Sequence, residues 1–358
     1  MSNFVLRLSR RTGKVKWGVI GAGGIARRRT IPEGILPAGN AELVAVYDVN
    51  SEVNAEVAGQ FDVSASGSLE ELLRSDIDAV YVATPANLHC EHTLACVRAK
   101  KHVLCEKPLG MTTEEAESMI AASENAGVLL GTAFMMRFQM QHQSALKMIQ
   151  EGKLGKLVFG RAQLSCWYPP IQGAWRQNPA TGGGGSLIDM GCHCIDLMEM
   201  FFGKLKKVSC LISNTVHNYS SEDSAVATLF FENGALAVVD TFFCIPDNSS
   251  KNMLELYGSK GSILAKKTIG QGDSGEMVAY LEAEDAGYDA QQKREKGEGI
   301  VVIAPEPMNT YQAEIEEFSQ AILEGREPSN HAGLGLQSQK VLAACYKSAS
   351  TGRIVEVN

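Results

Sequence analysis

The sequence predicts an α/β protein with two domains: a parallel sheet covered by helices, followed by an α+β domain with a large, mostly antiparallel open sheet. Two observations lead to this fold class. Up to residue 134, short apolar runs alternate with helical patterns, which is typical of parallel strands covered by helices. Beyond that point the alternation stops. Two β-rich runs there are joined by Asn233-Gly234, the strongest short hairpin signal.

The first domain is predicted over residues 14–136. Its strands are the apolar runs at residues 16–20, 43–47, 79–83, 103–105 and 128–132, and helical patterns lie between them at 91–99 and 113–126. Residues 1–13 are basic and include Ser9-Arg10-Arg11, a faint match to an export signal. We expect a flexible leader instead, because the apolar stretch that follows is the first core strand.

The second domain is predicted over residues 137–358. Strands are expected at residues 157–167, 224–232, 235–243, 254–257 and 262–265, and helices at 143–151, 311–324 and 334–348. Residues 270–299 are polar and glycine-rich, so we expect a variable excursion there. A large open sheet needs a cover on its second face, which predicts a homodimer or homotetramer formed through this sheet.

The composition limits the classes of function. With 358 residues, 45% hydrophobic and 21% charged, the chain can bury two cores. Its net charge of -8 disfavours nucleic acid and anionic membranes as partners, and no apolar run approaches the ~20 residues needed to span a bilayer. The nine cysteines form no CxxC motif, so we expect free thiols and a cytoplasmic protein.

A glycine turn follows the first predicted strand. Gly21, Gly23 and Ala26 form a GxGxxA match between a strand and a helix, the setting in which a Rossmann domain binds the pyrophosphate of a dinucleotide. Asp48 follows Ala26 by 48 − 26 = 22 residues and ends the second strand. A carboxylate there binds both ribose hydroxyls and repels a 2′-phosphate, which favours NAD. NADP stays the alternative because residues 27–29 are arginines.

The segment GGGGSLIDMGCHCID, residues 182–196, allows three interpretations: a phosphate cradle, a metal site or a catalytic pair. On a helix, successive residues point about 100° apart, so Cys192 and Cys194 diverge and no metal site is predicted. The Rossmann turn is the better phosphate site, and we expect the glycines to let the backbone pack closely beneath the substrate or nicotinamide. Asp189 and His193 are 193 − 189 = 4 residues apart and share one helix face.

Several motifs together resemble the Gfo/Idh/MocA oxidoreductases, the group of glucose–fructose oxidoreductase and inositol dehydrogenase. They are VIGAGGIA, VYVATPANLHCEHTLACVRAKKHVLCEKPLGMT, GKLGK, GGGGSLIDMGCHCIDL and YQAEIEEFSQAILEG. The resemblance implies an NAD(P)-dependent dehydrogenase or reductase that acts on a CH–OH group of a sugar, cyclitol or glycoside. Within the family, residues 167–196 are most similar to the 1,5-anhydrofructose reductases.

The resemblance also implies roles for individual residues. Lys107, in the EKP motif, lies beside the nicotinamide and stabilises negative charge on the reacting oxygen. His193 exchanges the hydroxyl proton and Asp189 orients it. The expected cofactor-binding residues are Gly21, Gly23, Gly24, Ile25, Asp48, Thr84, Pro85, Asn87, His89, Glu106, Lys107, Trp175, Arg176 and Tyr311. The expected substrate-binding residues are Lys107, Arg137, Trp167, Tyr168, Asp189 and His193, with Trp175, Arg176 and Asp196 as further candidates.

Two other functions stay open at this stage. One is a glycosidase that keeps NAD bound and cleaves through a transient 3-keto sugar, which would hydrolyse glycosides without accumulating NADH. The other is a sugar sensor that binds a dinucleotide without turnover. The presence of Lys107, Asp189 and His193 argues against the sensor.

Overall fold

The computed structural model describes residues 13–282, 290 and 299–357. The predicted leader lies outside the described residues except for Gly13, and so does much of the predicted excursion. The described chain divides into two compact units. Unit 1 comprises the described residues up to Met135 together with Ala180–Gly183 and Tyr311–Gln339, and unit 2 comprises Met136–Pro179, Gly184–Thr310 and the described residues from Lys340 onward.

Unit 1 contains a six-stranded sheet in which every described pair of neighbouring strands is parallel. The strands are β1 (Val15–Ile20), β2 (Ala41–Tyr47), β3 (Ser64–Ala65), β4 (Ala79–Val82), β5 (His102–Cys105) and β6 (Leu130–Thr132). Their order is β3-β2-β1-β4-β5-β6, the Rossmann order. The predicted parallel sheet is therefore confirmed.

The helices of this sheet are α1 (Ser51–Phe61), α2 (Leu69–Arg74), α3 (His89–Arg98) and α4 (Thr113–Ala126), and a π-helical segment spans Ala26–Ile35 after β1. Sequence reasoning missed α1, α2 and β3. Cap residues could have revealed the two helices, because the side chain of Asn50 accepts from the amides of Glu52 and Val53, and that of Ser68 accepts from the amide of Glu71. Both are ordinary N-caps.

A C-terminal helix belongs to unit 1. The helix is α8 (Thr310–Glu324), and it packs against β1 through Trp17. The Trp17 indole Nε1 donates to Ser319 Oγ at 3.1 Å, and its ring lies 5.7 Å from that of Phe318. The predicted division assigned residues 311–339 to the second domain, whereas they pack with the first, because the buried indole finds its apolar and polar partners there.

Unit 2 contains a nine-stranded sheet. The strands are β7 (Leu157–Ser165), β8 (Leu205–Ser213), β9 (Ser224–Phe231), β10 (Leu236–Phe242), β11 (Met253–Gly258), β12 (Gly261–Lys266), β13 (Glu276–Leu281), β14 (Ile300–Val302) and β15 (Val355–Glu356). The order is β14-β13-β12-β11-β7-β10-β9-β8-β15, with β7 and β10 parallel and the other neighbours antiparallel. The mostly antiparallel sheet and its hairpin between β9 and β10 are confirmed.

The expected variable excursion over residues 270–299 is wrong in part, because strand β13 lies within it. Met277 and Ala279 are buried in the sheet, but their polar surroundings in the sequence hid the alternation. Sequence reasoning also missed β8, β14 and β15.

Helices α5 (Met140–Gln150), α6 (Pro179–Gly182), α7 (Cys192–Phe202) and α9 (Ala332–Thr351) complete the described helices. The helix α7 covers one face of the nine-stranded sheet, since a Cβ at Gly160 of β7 would meet Phe202 and Met198 within 3.0 Å. The other face exposes apolar side chains, described below. None of the described helices has the length and apolar character that a membrane span requires.

Candidate active site

The predicted cofactor residues follow four neighbouring strands of the unit 1 sheet. Gly21 follows β1, Asp48 follows β2, Thr84 follows β4 and Glu106 follows β5. Because the carboxyl ends of parallel strands meet at the same edge of a sheet, these residues line one edge. The position between β1 and β4, where the strand order reverses, is where such sheets bind dinucleotides.

The glycine turn has the geometry of a phosphate cradle. Gly21 has a φ of +79°, and a Cβ on it would lie 2.8 Å from the backbone of Ala83, so only glycine fits. The amide of Gly23 donates to Asp48 Oδ2 at 3.0 Å. At Gly24 a Cβ would meet nothing within 4 Å, which leaves the backbone open to a pyrophosphate. The turn and the adjoining carboxylate therefore fit a dinucleotide.

Two of the three arginines that kept NADP open, Arg27 and Arg29, are engaged inside unit 1, and Arg28 is exposed. Arg27 donates to Glu56 Oε2 at 2.8 Å and to Gln60 Oε1 at 2.9 Å. Arg29 donates to Glu33 Oε1 at 2.6 Å. Because carboxylate or amide oxygens already bind them, both guanidinium groups are poorer partners for a 2′-phosphate. The half-buried Asp48 carboxylate repels a 2′-phosphate.

The loop that carries Lys107 is held from within unit 1. Lys107 is half-buried and its peptide bond to Pro108 is cis. The ring of His89 is 1% exposed, with Nδ1 2.7 Å from the Pro108 carbonyl oxygen and Nε2 2.9 Å from that of Thr84. Burial lowers the pKa of His89 to about 4, against the opposing effect of the two carbonyl oxygens, so at pH 7 the neutral ring donates to only one of them. His89 was predicted to bind cofactor, but its buried ring binds the two loops that carry Thr84 and Lys107.

Glu106 and Tyr311 also lie inward. Glu106 Oε1 accepts from the hydroxyl of Tyr81, and Oε2 accepts from the amide of Lys107 at 3.2 Å. Tyr311 is 3% exposed. Burial, with Glu106 and Glu314 nearby, raises the pKa of Tyr311 far above its usual value. Both predicted cofactor residues therefore support the loop at the end of β5. Ile25 and Pro85 are half-exposed and Asn87 is exposed at the same edge.

In unit 2, Asp189 is paired with an arginine. A π-helical segment over Leu187–Gly191 leads into α7. The predicted helix over Asp189 and His193 is therefore present, but it is not α-helical at Asp189. Asp189 Oδ1 accepts from Arg176 Nε at 2.9 Å, and the Arg176 guanidinium lies 4.1 Å from the centroid of the Trp175 ring. His193 is 8% exposed in the first turn of α7. The predicted Trp175-Arg176 pair is thus anchored to the predicted catalytic aspartate.

Arg137 and Asp196 bind each other. Arg137 Nη1 lies 2.8 Å from Asp196 Oδ1, and the two side chains are 17% and 4% exposed. Burial raises the pKa of Asp196 to about 6, against the opposing effect of Arg137. Both were predicted to bind substrate hydroxyls, whereas the structure gives them a buried ion pair.

The sequence of each unit matches a family model. Residues 15–134 match the oxidoreductase family with an NAD-binding Rossmann fold, and residues 142–264 match the GFO/IDH/MocA C-terminal domain. The chain is 31% identical over 346 residues to 1,5-anhydro-D-fructose reductase of Ensifer adhaerens, which covers 96% of this chain and 98% of that one. The chain belongs to the Gfo/Idh/MocA oxidoreductases.

Other members of the Gfo/Idh/MocA family are similar over most of their length. Myo-inositol 2-dehydrogenase of Thermotoga maritima is 31% identical over 285 residues, or 74% of this chain and 81% of that one. The crystal structure of aldose-aldose oxidoreductase from Caulobacter crescentus, complexed with glycerol, superposes with a TM-score of 0.84 at 27% identity and covers 96% of this chain and 99% of that one. The protein is therefore an NAD-binding oxidoreductase with the fold of this family.

Unit 2 also contains an aromatic cluster. Sequence reasoning found Trp167 and Tyr168 but missed His217 and Tyr219. The Trp167 side chain is 43% exposed, and its ring meets that of His217 edge-on at 4.9 Å. The His217 ring stacks on Tyr219 at 5.2 Å with 23° between the planes, and the Tyr219 hydroxyl donates to the Tyr168 carbonyl oxygen at 3.1 Å. His217 and Tyr219 lie in the polar connection between β8 and β9, where no periodic pattern points to them.

The connection that carries His217 is ordered by one carboxylate. Asp223 accepts from the amides of Thr215, Val216 and His217 at 2.8, 2.8 and 2.7 Å. Burial opposes ionisation of Asp223, but these donors outweigh burial and lower its pKa. The aromatic cluster is therefore presented by a preorganised loop.

Two glycines of the run lie against Glu222 and Tyr346, which sequence reasoning missed. A Cβ on Gly184 would lie 1.9 Å from the Tyr346 hydroxyl oxygen, and one on Gly185 would lie 1.9 Å from the Glu222 carbonyl oxygen. The expected close backbone packing is present at these two glycines, but the neighbours are Glu222 and Tyr346. Among the described residues, no group of His, Cys, Asp and Glu side chains has the arrangement of a metal site.

Proposed function

We propose that this oxidoreductase transfers a hydride between NAD and a hydroxyl-bearing carbon of a sugar, cyclitol or glycoside. The observation that carries the proposal is the exposed Trp167 ring, held against His217 of a preorganised loop in the same unit as the Asp189–Arg176 pair. Carbohydrates present C–H faces that pack on aromatic rings and hydroxyls that bind charged groups, so this combination suits them.

The aromatic cluster and the Asp189–Arg176 pair share neighbours in unit 2. Asp189 and Arg176 both act on the pKa values of Cys166 and Tyr168. Burial and Asp223 raise the pKa of Tyr219, and Cys166, Cys244 and Tyr168 raise it further. Trp167 lies between Cys166 and Tyr168 in the chain. The charged pair therefore lies close to the Tyr168 side chain, the neighbour of Trp167 in the chain.

The relatives favour the same substrate class. They include a 1,5-anhydro-D-fructose reductase, a myo-inositol 2-dehydrogenase and an aldose-aldose oxidoreductase. These substrates share a saturated ring or chain with adjacent hydroxyl groups.

We assign the proton transfer to His193, because an imidazole titrates near neutral pH. NAD, when bound at the glycine turn, supplies the hydride acceptor. The Lys107 ammonium hydrogen-bonds the reacting oxygen and stabilises its negative charge as the proton leaves. Asp189, held by Arg176 at 2.9 Å, provides a fixed carboxylate for a neighbouring hydroxyl or for the imidazole.

An initial-rate assay at 340 nm tests the proposal with NAD and NADP and a panel of aldoses, inositols, anhydrohexitols and glycosides. On the best substrate, we expect His193→Ala to lower kcat about 10²- to 10⁴-fold, the usual contribution of a general acid–base. His331→Ala serves as the matched control, since that side chain is 38% exposed. Full activity of His193→Ala on that substrate removes the mechanism, and no turnover across the panel removes the substrate class.

We also propose that the protein forms a homodimer through the open face of the nine-stranded sheet. The strand register puts Leu211 opposite Val226 and Tyr257 opposite Phe159. The sheet exposes 73% of Leu211, 42% of Val226 and 42% of Leu236. Exposed apolar side chains on an open sheet face are typical of an interface. Light scattering should give twice the chain mass, and Leu236→Glu should give monomers. A monomeric wild type contradicts the dimer.

We further propose that the enzyme works in the cytoplasm. All nine cysteines are free, and six of them are buried thiols that a reducing compartment preserves. Fractionation of cells that express the protein at its native level tests this, and recovery from an exported fraction contradicts it.

A further inference from the structure

Glu222 completes the start of the helix that carries Asp189 and His193. It is 6% exposed and lies two residues before β9. Three consecutive amides donate to it: Gly185 N to Oε2 at 2.9 Å, Ser186 N to the carbonyl oxygen at 3.0 Å and Leu187 N to Oε1 at 3.0 Å. The first amides of a helix have no partner within the helix, so one distant residue supplies all three.

The carboxylate of Glu222 is itself held in place. The Tyr346 hydroxyl, from α9, donates to Oε1 at 2.9 Å. Burial raises the pKa of Glu222, while the donors from Leu187, Tyr346 and Gly185 oppose that change. Three donors thus face the carboxylate: the amides of Gly185 and Leu187 and the Tyr346 hydroxyl. A negative charge in this position also interacts favourably with the helix dipole.

This arrangement explains the glycine run. The approach of Glu222 and Tyr346 requires the absence of a Cβ at Gly184 and Gly185. The anion site at the start of this helix is therefore filled by the protein's own carboxylate, which leaves the phosphate-cradle interpretation without a vacant site.

We propose that Glu222 is a positioning residue of the oxidoreductase reaction, which fixes the helix start and thereby holds Asp189 and His193 in their working orientation. This proposal rests on the catalytic roles assigned to those two residues under the proposed function. His193 lies 193 − 187 = 6 residues beyond Leu187, in the first turn of α7, which continues directly from the π-helical segment that Glu222 caps.

The test compares Glu222→Gln, which removes the charge, with Tyr346→Phe, which removes one donor and leaves the charge. Glu232→Gln is the matched control, because Glu232 is a surface residue of the same unit whose side chain is 57% exposed. We call the contacts of Glu222 with the amides of residues 185–187 the clamp. Hydrogen exchange of the peptide over residues 184–193 reports directly whether the clamp is intact. Fluorescence titration with NAD, kcat and the pH profile of kcat/KM report its consequence.

For Glu222→Gln we expect faster exchange at residues 185–187, a kcat lower by about 10- to 100-fold and an unchanged Kd for NAD. The acidic limb of kcat/KM should move to lower pH, because the imidazolium form of His193 loses the attraction of a negative charge, and in Tyr346→Phe it should stay in place. If Glu222→Gln does not fold, Tyr346→Phe still tests the clamp, through faster exchange and a reduced kcat.

Unchanged exchange in these variants overturns the clamp. Faster exchange with a wild-type kcat and acidic limb reduces Glu222 to a structural residue and also overturns the proposal. The His193→Ala variant separates this failure from that of the proposed function, because full activity there removes the catalytic role of His193 whatever the exchange of the helix start.

Discussion

The replacement Gly185→Ala should destabilise unit 2 by an amount that follows from the structure. Its Cβ would lie 1.9 Å from the Glu222 carbonyl oxygen and 2.9 Å from the Glu222 carbonyl carbon and amide nitrogen. Even the shortest contact found for a real Cβ, about 3.0 Å, requires a separation of 3.0 − 1.9 = 1.1 Å. These are backbone atoms, so no side-chain rotation relieves the overlap.

A separation of that size breaks two buried hydrogen bonds. The bonds from Gly185 N to Glu222 Oε2 and from Ser186 N to the Glu222 carbonyl oxygen are now 2.9 and 3.0 Å long. Each buried group left without its partner costs about 1–3 kcal/mol, so we expect a loss of roughly 2–6 kcal/mol in the free energy of unfolding. At about 2–4 °C per kcal/mol for a unit of this size, Tm should fall by roughly 5–20 °C.

Differential scanning calorimetry measures this change. Gly272→Ala is the matched control in unit 2, since its Cβ would meet only Ser274 O, at 3.7 Å, and it should keep Tm within about 1 °C. A Gly185→Ala protein that melts with the wild type would falsify the close approach of Glu222, and with it the account of the glycine run.

Three further predictions concern the cofactor turn and the pH dependence of stability. Gly24→Ala should leave the Tm of the ligand-free protein unchanged, because its Cβ meets nothing within 4 Å. In a fluorescence titration, the Kd for NAD should rise about tenfold or more, because the Cβ would occupy the space of the pyrophosphate. Equal affinity contradicts the phosphate cradle. Asp48→Asn removes the charge that accepts from Gly23 N at 3.0 Å, and the ratio of kcat/KM for NAD to that for NADP should fall by about tenfold, or 1.4 kcal/mol; an unchanged ratio contradicts the role of the carboxylate. Burial lowers the pKa of His142 to about 4, its Nδ1 lies 2.8 Å from the Met136 carbonyl oxygen, and among the described residues its Nε2 has no hydrogen-bond partner. Because the unfolded histidine binds a proton below about pH 6.5 and the folded one does not, stability should fall by about 1.4 kcal/mol per pH unit as the pH drops from 6.5 towards 4. Urea titrations should show a shallower slope for His142→Gln, and identical slopes contradict this origin.

Local patterns of the sequence determined most of the fold. Apart from Lys16, Glu42 and His102, the strands β1, β2, β4 and β5 are apolar, as is typical of strands covered on both faces. The GxGxxA turn is a short-range signal because one strand and one helix suffice to define it. The Asn233-Gly234 hairpin is equally local. The cofactor edge of unit 1 follows from these signals, since the carboxyl ends of parallel strands meet.

The partners of the predicted site residues are long-range contacts, and no local pattern carries them. Glu222 and Gly185 are 37 residues apart, Arg137 and Asp196 are 59 apart, and His89 reaches Pro108 across 19. Polar residues in connections, such as Glu222 before β9, show no periodicity, and any of them can be solvated in an isolated chain.

By itself, the sequence determined that this protein has a dinucleotide turn and two sheets, and it predicted a catalytic set of lysine, aspartate and histidine. The tertiary structure alone decided which of the charged and aromatic residues face one another: Asp189 with Arg176, Asp196 with Arg137, and Glu222 with the start of the helix that carries His193. The physical reason is that periodicity and turn chemistry act over a few residues, whereas a buried charge must find its partner anywhere in the chain that folding brings within hydrogen-bond distance.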